Sequence, residues 1–316
     1  MNETISVIIP MYNCADLIGK SLESLRAQTY ADLEIILVDN ASTDDTLKTA
    51  YLAAEKDSRI KVYHTEEKGV SLARNLGVEN ASGKYIAFMD ADDYVKTDMY
   101  EYLLKLLKKS GADIAACNIF YINKYFSKVY NEKQTEKFLK GFDAIKECLA
   151  NPSVFVSVWN KLYKRETVEN ILFPLVGMSE DLQFLYDVFS GGASMICGFE
   201  PKYYYDKSIN NPDFAQRDLD SLKVFEYILK REFSLGKEKR IKFFKNQYLK
   251  HLYSLLIKAS LYPLRASPDV VIRTARKEYF GFIFAKGISL KLKLFASICL
   301  INKKLAKWIN KHFIRK

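Results

Sequence analysis

Short apolar runs alternate with helix-period segments from the N-terminus as far as Ile122. Residues 5–9 and 33–38 read as strands, and between them Leu17, Ile18, Leu22 and Leu25 recur at the spacing of one helix face. A helix is predicted over 47–55, with Ser42 and Thr43 as its N-cap and Asp44 and Asp45 at the positive end of its dipole. Further strands are predicted at 60–64, 85–89 and Ile114–Ile122, and further helices at 70–78 and 99–109, the former stopped by the Ser82-Gly83 turn. This repeated strand-helix-strand order implies an α/β fold around a mostly parallel sheet. Residues 123–205 carry no clear period. Beyond Tyr205 the pattern turns helical: Leu222, Phe225, Leu229 and Phe233 share one face, as do Phe244, Tyr248, Leu252 and Leu256. A boundary near 206 follows.

Composition narrows the class. The 316 residues, 49 % hydrophobic and 27 % charged, suffice for about two folded domains and exclude a disordered chain. The formal net charge is +10, yet the segment 282–316 alone carries nine basic residues and no Asp or Glu. The remainder is nearly neutral, which argues against a nucleic-acid-binding surface. Five widely spaced cysteines without a C-x-x-C pair predict neither a disulfide framework nor a zinc site. The polar start, followed at once by a short apolar strand, does not read as a secretory signal, and the best spanning candidate, 288–301, contains Lys291 and Lys293. A cytoplasmic protein is expected.

In an open parallel sheet, ligands bind beyond the carboxyl ends of the strands. Here those ends carry Pro10-Met11-Tyr12-Asn13, then Asp39-Asn40-Ala41-Ser42, then Asp90-Ala91-Asp92-Asp93. Clustered carboxylates at one edge are costly unless a cation or a sugar hydroxyl compensates them. Mg²⁺ and similar hard ions take one or two carboxylates together with phosphate oxygens, so a D-x-D turn suits a diphosphate substrate. The alternative is that Asp92 and Asp93 only cap the next helix.

Five motifs in order, VIIPMYN, VDNASTDDT, EKGVSLARNLGVENASGKYIAFMDADD, VWNKLYKRE and MSEDLQF, closely resemble those of family 2 glycosyltransferases with the GT-A fold. They span residues 7–184 and cover little of the chain after Tyr205. The resemblance implies a Rossmann-like GT-A domain over 1–205 and a helical C-terminal region over 206–316. It assigns Pro10, Tyr12 and Asp39 to the nucleotide base, with the Asp39 carboxylate accepting the uracil N–H. Arg74 would reach the nucleotide, Asp90 and Ala91 the donor sugar or ribose, and Asp92 an Mn²⁺ or Mg²⁺ ion. Asp181 would be the general base and Glu180 its neighbour, orienting the acceptor. Trp159, Asn160 and Lys161 would lie on the acceptor side, although a tryptophan in such a place also suits core packing. Ser179 stands where the family commonly has glycine, which bears on the backbone freedom of the acidic loop. The implied reaction is an inverting transfer of a hexose or N-acetylhexosamine from a UDP-sugar.

Leu294, Ile298, Ile301, Leu305 and Trp308 fall at helical spacing with flanking lysines. That pattern suits an amphipathic segment over 287–316 lying on an anionic membrane, and equally a terminal helix packed on its own domain. The membrane reading places the protein on the inner face of the cell membrane, acting on a lipid-linked saccharide in surface-polysaccharide synthesis. Two other functions are open. A sugar-nucleotide pyrophosphorylase lacks its glycine-rich loop here, and a silent membrane scaffold would not need both Asp92 and Asp181. Oligomeric state is left open.

Overall fold

The computed structural model describes residues 3–122, 127–129, 135–151, 154–206, 213–285 and 288–311. It divides into two compact units, one of Met1–Leu175 with Asp181–Ile209, the other of Val176–Glu180 with Asn210–Lys316.

The first unit is built on one sheet. Its strands are β1 (Ile5–Met11), β2 (Leu33–Asn40), β3 (Ile60–Thr65), β4 (Tyr85–Phe88), β5 (Tyr94–Val95), β6 (Ile114–Ile122), β7 (Ser127–Val129), β8 (Lys137–Lys140), β9 (Lys161–Lys164) and β10 (Ser194–Asp206). The order across the sheet is β3-β2-β1-β4-β9-β6-β10-β5, with β7 on β6 and β8 on β10. β3, β2, β1 and β4 are parallel, as are β6 and β10. β9 is inserted antiparallel to both β4 and β6, which makes the sheet mixed. The elements expected up to Ile122 are all present, within a residue or two of their expected ends. The described residues of the segment 123–205 form three short strands and three helices beside the long β10.

The helices of this region are α1 (Ile18–Arg26), α2 (Thr46–Lys56), α3 (Val70–Glu79), α4 (Met99–Ser110), α5 (Phe142–Ala150), α6 (Arg165–Val168) and α7 (Glu180–Ser190). Alternation along β1 sends Val7 and Ile9 into a core shared with Leu22, Leu25 and Leu103. Ile8 points to the opposite face, where α3 lies so close that a Cβ on Gly77 would collide with it. Each such fully buried isoleucine is worth about 1.5–3 kcal/mol relative to exposure. The Glu34 carboxylate ties β1, β2 and the Ser82-Gly83 turn together, accepting from Ser6 Oγ at 2.5 Å, Ser82 N at 2.8 Å and Lys61 Nζ at 2.5 Å.

The expected cap of α2 is corrected. Asp44 Oδ1 accepts from Thr46 N at 3.0 Å, whereas Ser42 and Thr43 bond instead to Asn13 in the loop after β1. Two neighbouring strand-end loops compete for these side chains, and the loop contact wins.

The second unit contains α8 (Gln216–Ser234), α9 (Glu238–Leu261), α10 (Asp269–Lys277), α11 (Tyr279–Phe284), α12 (Leu290–Ile301) and α13 (Lys303–Ile309). α8 and α9 meet along the expected apolar faces, with Leu222, Phe225, Phe244, Leu252 and Leu256 buried, but Phe233 in the last turn of α8 is exposed. The tail is two helices rather than one. Asn302 takes an extended backbone between them, and its side chain accepts from Leu305 N to start α13. Phe295, Ala296, Cys299 and Ala306 are buried as α12 and α13 pack on α9. Leu294, Ile301, Leu305 and Trp308 remain exposed. Lys293 is spent internally on the carbonyls of Ile283 and Ala285 at the end of α11. Of the basic tail, residues 286–287 and 312–316 lie outside the described residues. Among the described residues no helix is long and apolar enough to cross a membrane.

Candidate active site

Three parallel strand ends meet in register. Met11 pairs with Asp39 across β1 and β2, and Met89, just past β4, donates its N–H to Ile8 O at 3.0 Å. The loops that follow are cross-tied: Asn13 Oδ1 accepts from Thr43 N at 2.8 Å, and Ser42 Oγ from Asn13 N at 3.1 Å. Asn13 and Ala41 both adopt left-handed backbones, φ 46° and 55°. Asparagine tolerates that region, while alanine there is strained, and the ties across the two loops hold it.

Asp39 is buried at this edge. Its Oδ2 accepts from Ser42 N at 3.2 Å and lies 3.0 Å from His64 Nδ1, while its Oδ1 is buried without a hydrogen-bond partner among the described residues. A buried carboxylate oxygen left unsatisfied is costly and marks a place for an incoming donor. The sequence reading missed His64, although the parallel register of β2 and β3 sets it beside Asp39. Tyr12 stands exposed nearby with Lys68 Nζ 3.5 Å above its ring, and Pro10 is half-buried near the end of β1.

The Asp90–Asp93 turn is anchored from below. Ser21 Oγ contacts the carbonyls of Ala91 and Asp93 at 2.7 and 2.6 Å. Tyr203 OH accepts from Asp90 N at 3.3 Å and donates to Asp93 Oδ2 at 2.7 Å, while Asp93 Oδ1 accepts from Asp206 N. Burial, then the neighbouring Asp90, pushes the Asp93 carboxyl up to about 8. Asp93 is therefore an anchor, neither a ligand nor a helix cap, and the helix that follows is instead preceded by Asp98. Ala91 has a buried side chain, and its carbonyl accepts from Ser21 Oγ. Asp92 opens to solvent at the rim, and the protein crowding its carboxyl, with Asp206 nearby, raises it from the ordinary value.

Among the described residues no three His, Cys, Asp or Glu side chains converge tightly enough to hold a metal by themselves. An exposed Asp92 among repelling carboxylates fits an ion that draws its remaining ligands from phosphate and water. The residues thus suit Mg²⁺ or Mn²⁺.

Arg74 is buried on α3, and its guanidinium spans Asp90 Oδ1 at 3.3 Å and Asp181 Oδ1 at 2.9 Å. Asp181 Oδ2 accepts from Val158 N at 3.2 Å. The two carboxylates assigned to donor and acceptor thus share one cation. Glu180 is half-buried at the start of α7, and Ser179 before it has φ 68°, the left-handed backbone that glycine adopts without strain.

Trp159, Asn160 and Lys161 do not line the cleft. Trp159 stacks on Tyr203 and Tyr205 with ring centroids 4.4 and 4.9 Å apart. Asn160 and Lys161 are fully buried, and their polar atoms are engaged by neighbouring backbone. They support the site from beneath, as do Tyr203, Ser21 and Val158, which sequence reading passed over.

The family model described as Glycosyl transferase family 2 matches residues 6–172, more than half of the chain. The chain belongs to this family. It is 36 % identical over 182 residues to the uncharacterized glycosyltransferase YibD of Escherichia coli, covering 55 % of this chain and 53 % of that protein. It is 30 % identical over 254 residues to the cholesterol galactosyltransferase of Borreliella burgdorferi, covering 72 % and 68 %. The chain spans about half the length of several of the curated relatives it matches. Among solved structures it resembles S. aureus TarS 1-349 in complex with UDP-GlcNAc, with TM-score 0.62 and 17 % identity over 98 % of this chain and 91 % of that one. It also resembles the mannosyltransferase PcManGT from Pyrobaculum calidifontis in complex with GDP-Man and Mn²⁺, with TM-score 0.55 and 16 % identity over 99 % and 88 %. These structural likenesses establish the GT-A-type fold.

Proposed function

We propose that this protein is an inverting glycosyltransferase that moves a hexose or N-acetylhexosamine from a UDP-sugar to a hydroxyl of a lipid-linked saccharide in surface-polysaccharide or glycolipid synthesis. The observation that carries the donor half is Asp39. With Oδ2 already occupied, only Oδ1 is left to accept, and it matches the single N3–H of uracil. Guanine presents two adjacent N–H donors to a carboxylate, and cytosine has an acceptor at N3, so each leaves a mismatch here. Tyr12 and Pro10 flank the base, and Asp90 faces the donor sugar or ribose.

Asp92 would hold the divalent ion, which when bound neutralises the departing diphosphate. Asp181 takes the proton of the acceptor hydroxyl as its oxygen attacks the anomeric carbon. The bond from that carbon to the phosphate oxygen breaks, UDP leaves from the opposite face, and configuration inverts. Glu180 orients the acceptor. The acceptor's lipid carrier is supported by the exposed apolar residues of α12 and α13 beside exposed Lys303, Lys304 and Lys307, a surface suited to an anionic leaflet.

Calorimetric titration with UDP, GDP, CDP and TDP, with and without Mn²⁺, tests the donor site. UDP should bind tightest, should need the metal, and should weaken in Asp39→Asn and Asp92→Ala. UDP release from UDP-glucose, UDP-galactose and UDP-N-acetylhexosamines, with a polyprenyl-diphosphate-linked sugar as acceptor, then tests turnover. Failure of every nucleotide to bind would overturn the transferase reading and leave a membrane scaffold. Pyrophosphate-dependent chemistry would replace it with a pyrophosphorylase.

A further inference from the structure

Lys161 is fully buried in β9, in register with Ala116 of β6, and makes no ion pair among the described residues. Its Nζ instead lies 2.8 Å from Val154 O, 2.9 Å from Phe155 O, 2.7 Å from Ser157 O and 2.8 Å from Asn160 Oδ1. Four acceptors around one nitrogen require the three protons of an ammonium, since a neutral amine offers only two. Burial is the largest influence on the lysine's proton affinity and lowers it, so the cage of acceptors is what favours the ammonium. The loop it gathers is strained: Phe155 has φ 50°, a region that non-glycine residues seldom adopt. Asn160 secures the cage to the sheet, donating to Cys117 O at 2.7 Å and to Val154 O at 3.2 Å.

That loop ends at Val158, whose N–H donates to Asp181 Oδ2. The Val158 carbonyl is in turn held by Tyr163 OH at 3.3 Å. The Asp181 carboxylate is therefore fixed from two sides, by Arg74 on Oδ1 and by this loop on Oδ2.

We propose that Lys161 is a positioning residue for the reaction: its buried ammonium folds the 154–158 loop so that the Val158 N–H aims the Asp181 carboxylate at the acceptor. This rests on the reading of Asp181 as general base and adds the device that holds it in place. A misplaced base costs catalysis more than binding, because the donor nucleotide is held elsewhere, at Asp39 and Tyr12.

The test uses the full chain with Lys161→Met, which keeps length and apolar bulk but removes charge and donors. The variant should melt cooperatively and bind UDP within about twofold of wild type, while kcat falls about 10- to 100-fold with little change in the donor KM. Deuterium exchange over 154–158 should be slow in wild type and fast in the variant. An unchanged kcat, or a loss confined to donor KM, overturns the proposal. Should Lys161→Met fail to fold, the wild-type exchange decides, and a loop that exchanges as freely as an exposed one overturns it. Asp181→Asn run alongside separates the two readings. An inactive Asp181→Asn beside a fully active Lys161→Met sinks the positioning role alone, whereas an active Asp181→Asn sinks the base assignment itself.

Discussion

Replacing Arg74 with methionine tests the centre of the site. The guanidinium is 5 % exposed and sits between Asp181, 15 % exposed, and Asp90, 32 % exposed. Removing one partner of a fully buried ion pair costs about 3–5 kcal/mol, because the other charge is left desolvated. Water reaches both carboxylates here, Asp90 more than Asp181, so the expected cost is smaller, about 2–3 kcal/mol. Methionine keeps most of the apolar stem but also gives up the approach of the guanidinium carbon to the Phe173 ring, 5.4 Å from its centroid. Urea unfolding at neutral pH should show this as a lower midpoint with an unchanged slope. One control sharpens the reading. In an Asp181→Asn background the same substitution should cost about 1–2 kcal/mol less, since one of the two carboxylates it balanced is gone. A stability loss under about 0.5 kcal/mol, or one that is the same in both backgrounds, would refute the idea that Arg74 balances the donor-side and acceptor-side acids.

Two further predictions concern acid stability and the membrane. Burial alone would raise the Glu34 carboxyl, but the hydrogen bonds from Lys61, Ser6 and Ser82 outweigh it and hold the group down at about 2. Its stabilisation is therefore complete above the unfolded value of 4.5 and is lost as pH falls through about 2. Allowing for solvent screening it amounts to about 2 kcal/mol, so urea unfolding of Glu34→Gln should lack that part of the pH dependence between pH 5 and 2. Parallel pH profiles for the two proteins would count against it. In co-sedimentation with phosphatidylcholine vesicles, adding phosphatidylglycerol should promote binding, and salt should reverse it. Lys303→Gln, Lys304→Gln and Lys307→Gln together should weaken binding about 100-fold, at about 1 kcal/mol for each basic residue near the surface. Unchanged partition of the triple variant would sink the membrane reading.

Strand and helix order up to Ile122 was legible because both faces of a parallel sheet are covered, which turns each central strand into an apolar run that stands out against helix-period neighbours. The same logic explains where legibility stopped. β9, four residues reading Lys-Leu-Tyr-Lys, has no alternation, and its lysine at 161 looks like a surface residue. Only tertiary structure reveals that the carbonyls of an irregular loop solvate that ammonium in place of water. β10 escaped notice because register shifts around Pro201 break its period. With it went Tyr203, whose hydroxyl links Asp90 and Asp93 across more than a hundred residues of sequence. At the site, the carboxylates themselves were visible as residue types at strand ends, and Asp39 does present a buried, unsatisfied oxygen there. Their division of labour was not visible, because it depends on which acid is anchored and which is open. Asp93 and Asp92 are adjacent in sequence, yet one is locked under Tyr203 and the other faces solvent. The tail shows the converse error. A single helical period was read across Asn302, but an asparagine that can cap the next helix lets the chain turn there, so α12 and α13 each bury a few residues on α9 and leave the larger apolar side chains outside. Packing and membrane docking, set against each other as alternatives in the sequence, can thus be served by different side chains of the same segment.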